Sequence, residues 1–151
     1  MPWSELAGRW SAWAGLAALF AAFTTVLAKL GLSGIDATLA TWLRTVLVAL
    51  LLSALMLGTG QLSLESARAM GGLPPRSLLA LGLSAVTTGL SWLCYFRALQ
   101  MGPAAPVAAL DKVSVVLVAL LGVALLGEQP EPLAWAGIAL MAGGAVLVAL
   151  A

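Results

Sequence analysis

The sequence contains no histidine, a single cysteine and a single tyrosine, and only 9% of its 151 residues are charged. Each scarcity excludes something. Without histidine there is no imidazole for a metal site or for a Ser-His-Asp triad. Cys94, alone, cannot close an intrachain disulfide, and it reads as an inert small apolar residue. Seven Lys and Arg against six Asp and Glu leave a net charge of +1, so there is neither a basic surface for nucleic acid nor an acidic tail. A soluble domain carries roughly a quarter charged residues. A chain this poor in them has little with which to position a nucleophile and its base. Neither an enzymatic activity nor a cofactor is expected.

Apolar residues are what the chain has in excess: 62% are hydrophobic, and the mean hydropathy is +1.08. Crossing a bilayer core of about 30 Å takes roughly 20 apolar residues in a helix. Five segments qualify, at about residues 10–30, 38–57, 77–99, 103–126 and 132–150. The breaks between them carry turn chemistry. Gly31, Ser33 and Gly34 part the first two spans, Gly102 followed by Pro103 ends one helix and starts the next, and Gly127 with Pro130 and Pro132 separates the last two. The longest link, 58–76, is expected to hold a short surface helix over 63–70. The first span is too long for a signal-peptide core, which runs about 7–15 residues, and no basic run precedes it; it reads as a retained span. Barrel strands are excluded by the length and continuity of the segments. The expected fold is therefore an all-α integral membrane protein with five transmembrane helices, forming one domain over residues 1–151. Its solvent is the lipid bilayer.

Orientation is weakly specified. Five spans put the termini on opposite faces. Arg9, Arg68 and Arg76 count toward the N-terminal face, and Lys29, Arg44, Arg97 and Lys112 toward the other. The positive-inside rule needs a clear Lys/Arg excess, and here it is one residue. Two readings stand: a single orientation helped by partners or lipids, or insertion both ways, which would build an inverted pair of the kind many transporters carry in one chain.

Depth singles out the residues of interest. At 1.5 Å per residue, Arg44 lies about 9 Å inside the membrane, Asp111 and Lys112 about 12–13 Å, and Ser91 and Trp92 about 10–12 Å, with Tyr95 somewhat shallower. Three spans thus bring polar groups to one depth. An intramembrane charge costs at least about 2.5–3.5 kcal/mol, so such groups face a cavity or a partner. Neighbours on a helix project about 100° apart, so Asp111 and Lys112 are not expected to face each other; Asp111 is expected to pair with Arg44 or Lys29 from another span. That pair either serves a substrate or coupling role or only fixes packing. A cluster left positive suits an anionic or zwitterionic solute. Ser84, Thr88, Ser91 and Tyr95 share one face of the third span, as a pathway wall or as interhelical hydrogen bonding. Gly15, Ala18, Ala22, Thr25 and Lys29 form a small-residue seam on the first span, and Gly137 with Gly144 another on the last, both suited to close helix packing.

The run Gly89-Leu90-Ser91-Trp92-Leu93-Cys94-Tyr95-Phe96-Arg97-Ala98-Leu99-Gln100, leading into Met101-Gly102-Pro103, resembles a known family. So do Asp111-Lys112-Val113-Ser114-Val115-Val116, the closing Leu126-Gly127-Glu128, and Thr41-Trp42-Leu43-Arg44-Thr45. Together they resemble short, single-repeat members of the EamA family, in the drug/metabolite transporter superfamily, over about residues 10–150. The resemblance implies one repeat of a ten-helix transporter. It also implies a secondary transporter or exporter of small metabolites that works as a dimer by alternating access in a bacterial inner membrane. The partner is a second copy, antiparallel if the chain inserts both ways, or a sister chain. Arg44, Asp111 and Lys112 would form the polar centre with Ser91, Trp92 and Tyr95 around it, and Lys29, Arg97 and Ser114 would be accessory. The carboxylate that the small multidrug resistance branch keeps in its first helix has no counterpart here, which leaves Asp111 as the deep acid for proton coupling. The alternative is a non-transporting membrane partner, an assembly or lipid-handling subunit.

Overall fold

The computed structural model describes residues 10–61, 63 and 71–151. They form α1 (Trp10–Gly31), α2 (Ala37–Gly58), α3 (Pro75–Met101), α4 (Ala104–Asp111), α5 (Ser114–Leu121), a π-helical turn (Gly122–Leu126) and α6 (Pro132–Leu150), with no strand among the described residues. The helix expected over 63–70 lies, apart from Ser63, outside the described residues. Five stretches are long and apolar enough to cross a membrane, and they fall on the five expected spans, with α4, α5 and the π turn sharing the fourth. Hydrophobic run length set these helices; local chemistry set their ends. Asp36 caps α2 by accepting from the Thr38 and Leu39 N–H groups at 2.8 and 3.3 Å. Pro75 and Pro132 open α3 and α6, where a missing N–H costs nothing. Gly127, at φ 69°, closes the fourth span in the left-handed region.

Close contacts divide the chain into two units, Met1–Ser33 with Ala98–Ala151 and Gly34–Arg97. In the first, α6 packs on α4 and α5, and α1 packs on α4. Small side chains permit this: α4 is half alanine and α6 buries Ala145. The small-residue seam of α1 packs only at its end. Thr25 and Lys29 are half-buried, whereas Gly15, Ala18 and Ala22 are exposed. In the second unit the packing lies near the start of α2 and the end of α3, where Ala37, Thr41 and Phe96 are buried.

Elsewhere the large apolar side chains point outward. Leu133, Leu140 and Leu150 are 81%, 77% and 79% exposed. An apolar surface that extensive is matched by hydrocarbon, not water. Several threonine hydroxyls inside the spans satisfy themselves locally, as suits lipid. Thr25, Thr41, Thr45 and Thr87 each donate to the carbonyl four residues back.

Candidate functional site

The fourth span changes its hydrogen bonding at its two charged residues. Lys112 and Val113 donate to the carbonyls of Ala109 and Leu110, and Val115 and Val116 to those of Lys112 and Val113, all at 3.0 Å. These are i→i−3 bonds, a 3₁₀ step that divides α4 from α5, and a mid-helix stretch of this kind often marks a functional hinge. It sits about 12 Å into a span of 23 residues, near the bilayer middle. Asp111 ends α4, and Ser114 begins α5 and is exposed.

Asp111 and Lys112 do meet. Lys112 Nζ lies 3.5 Å from Asp111 Oδ2, contrary to the expectation from their 100° separation. The physical reason is the four-carbon lysine stem, which folds back along the helix whatever direction its Cα–Cβ bond takes. The pair is long, and both side chains are substantially exposed, at 55% for Lys112 and 42% for Asp111. It therefore holds the two charges together without enclosing the carboxylate.

Lys29, expected as an accessory residue or a partner for Asp111, engages backbone instead. Its ammonium donates to the backbone carbonyls of Leu99 and, at 2.9 Å, Gly102. A helix leaves its last carbonyls without internal partners and carries partial negative charge there. Lys29 thus caps the end of α3 from the neighbouring helix and ties α1 to the elbow that leads into α4. Gly102 is close-fitted at that elbow: a Cβ there would lie 3.3 Å from Val107 Cγ2.

In the second unit Arg44, Trp92 and Tyr95 come together as a group. The Arg44 guanidinium carbon stands over the Trp92 ring, 4.4 Å from its centroid, and 5.4 Å from that of Phe96. Tyr95 lies within electrostatic reach of Arg44. Contacts of this kind give about 0.5–2 kcal/mol, less than the cost of placing an arginine within a span. Ser91 is on α3 nearby in sequence but exposed, as is Arg97. Arg97 acts electrostatically on Asp36, whose carboxyl is held below the ordinary aspartate range chiefly by the N–H groups of Thr38 and Leu39. Phe96 was missed from sequence. The signal was there, since it follows Trp92 by four residues and so shares its helix face.

At the far end of the fourth span, the Gly122 carbonyl accepts from the N–H groups of both Gly127 and Glu128. The Glu128 carboxylate folds over Gly122 so closely that a Cβ there would lie 2.6 Å from Oε2. The Gly127 bond to Gly122 spans five residues, which makes the turn π-helical. One extra residue is accommodated before the chain reverses.

Comparison with known proteins now bears on these features. Residues 8–150 match the EamA-like transporter family. The chain belongs to that family. It is also 46% identical over 141 residues to a Sinorhizobium sp protein named "Uncharacterized transporter in cobO 3'region", an alignment covering 93% of this chain and 96% of that one. No solved structure matches. An EamA-like chain with five apolar spans is an integral membrane protein and a membrane transporter, and both likenesses point to transport rather than enzymatic catalysis. Within this EamA-like chain the fold thus assembles two polar groups, Arg44 with Trp92, Phe96 and Tyr95 in one unit and Asp111 with Lys112 in the other. Lys29 is committed to the α3–α4 elbow.

Proposed function

We propose that the chain is half of a secondary transporter that moves small metabolites or related solutes by alternating access, completed by a second copy of itself or by a sister chain. The observation that carries this reading is the 3₁₀ step at Asp111–Lys112 in the middle of an otherwise apolar span. Irregular helical backbone at membrane depth is tolerated where it lines a cavity or is buried in protein, and transporter sites are built at such places. An ionisable residue there marks a solute or ion path. Asp111 serves as the coupling carboxylate, held beside Lys112 yet open enough to exchange a proton or cation. The change of hydrogen bonding gives α4 and α5 a joint at which they can tilt separately as the site opens to each side.

The test uses proteoliposomes loaded with a uniformly ¹³C-labelled metabolite extract. The wild-type chain should release a defined subset of solutes, and Asp111→Asn, incorporated to the same level, should retain them. Equal retention by wild type, Asp111→Asn and empty liposomes would sink the reading and favour a non-transporting membrane subunit.

A further inference from the structure

The Arg44 group in the second unit has a property that stacking alone does not explain. A guanidinium carries all five N–H donors in its plane, at its rim. An aromatic ring beneath it engages its face and attracts the charge, but it neither accepts those hydrogens nor neutralises the cation. Trp92 and Phe96 therefore engage the face of Arg44 and not its donor edge.

No carboxylate of the same unit is placed to take that edge among the described residues. Asp36 is the acid among the described residues there, about 12 Å away along the α2 axis. Its Oδ1 is already occupied by the Thr38 and Leu39 N–H groups. The neighbouring hydroxyls are oriented along their own helix, Thr41 donating to the Ala37 carbonyl and Thr45 to that of Thr41. Among the described residues of this unit no carboxylate lies at the guanidinium, and a planar oxyanion supplies a counter-charge through two parallel N–H···O bonds.

We propose that Arg44, seated on Trp92 and braced by Phe96, is an oxyanion-binding site that takes the carboxylate or phosphate of its ligand. This rests on the transport reading only for the ligand's route. The site itself stands on the second unit's geometry. Two sources share the chemistry, a soluble metabolite anion and an anionic phospholipid headgroup. The stacking fixes the plane of the fork, so lysine, a point charge with a rotating head, is a poor replacement.

Retention measures binding without requiring flux. The full-length protein, in phosphatidylcholine nanodiscs free of anionic lipid, is incubated with the ¹³C metabolite extract, washed, and its retained solutes identified by mass spectrometry. A parallel sample from membranes containing phosphatidylglycerol is scored for co-purified lipid. The wild type should retain solutes bearing a carboxylate or phosphate. Arg44→Gln should lose them by roughly ten- to a hundredfold, as expected for a charge-assisted pair, and Arg44→Lys should fall between. Monodisperse elution of Arg44→Lys guards against a folding artefact. Arg44-dependent retention of phosphatidylglycerol alone would assign the oxyanion to a lipid headgroup. The proposal is overturned if no anion from either source depends on Arg44, or if the retained solutes are cationic or neutral. Arg44-dependent retention without flux would remove the transport reading and leave this site. Flux of cations unaffected by Arg44→Gln would do the reverse.

Discussion

The ammonium of Lys29 donates to the Gly102 carbonyl at 2.9 Å and also reaches that of Leu99, so a charge on α1 closes the end of α3. Lys29→Met keeps much of the stem and removes the donors, leaving two helix-terminal carbonyls without that partner. We expect a loss of about 1–3 kcal/mol, read as easier unfolding in detergent, with Lys29→Arg recovering part of it. Wild-type unfolding of Lys29→Met would show that the cap contributes nothing.

Two glycines at the end of the fourth span should respond differently. Gly127 has φ 69°, where a Cβ is strained, and Gly127→Ala should cost about 1–2 kcal/mol whatever surrounds it. At Gly122 the obstacle is the flexible end of Glu128, which can swing aside. The cost of Gly122→Ala should be smaller and should vanish in a Glu128→Ala background. A double-mutant cycle measures this coupling, and additivity would rule out the contact.

Asp36 gives the α2 cap a pH dependence. Its folded pKa lies below the ordinary value because the Thr38 and Leu39 N–H groups stabilise the carboxylate. Folding is therefore favoured by this group above the ordinary aspartate pKa, and the contribution is lost as pH falls through the depressed folded value. Asp36→Asn, whose side-chain oxygen can still cap, should flatten that acid limb of an unfolding-versus-pH profile. An unchanged limb would place the titration elsewhere.

The Asp111–Lys112 contact is too long and open to hold the fold together. Lys112→Gln should shift unfolding by less than about 1 kcal/mol while altering solute release from proteoliposomes. A large stability loss with normal release would make the pair structural.

Membrane orientation can be read with a Cys94→Ser chain bearing one cysteine at its N-terminus. Arg9, Arg68 and Arg76 count toward the N-terminal face and Lys29, Arg44, Arg97 and Lys112 toward the other, so by sequence the topogenic charges nearly balance. An impermeant thiol reagent should label about half the copies, as an antiparallel pair of this chain requires. Uniform labelling would exclude that pair and assign the second half of the transporter to another chain.

The five spans and their ends were legible in the sequence by itself. Apolar run length and Gly/Pro punctuation act over a few neighbouring residues, and lipid leaves the backbone no alternative to the helix. The positions of Arg44, Asp111 and Lys112 along their spans were legible for the same reason, since rise per residue is constant. Partners were not. Periodicity separates Asp111 from Lys112 by direction alone, whereas a long lysine stem chooses its contact by what stands within reach. Lys29 meets carbonyls some seventy residues away, an encounter no local pattern encodes. The seating of Arg44 on Trp92 was decided only by the tertiary structure, because it brings together side chains of α2 and α3 that lie 48 residues apart in sequence.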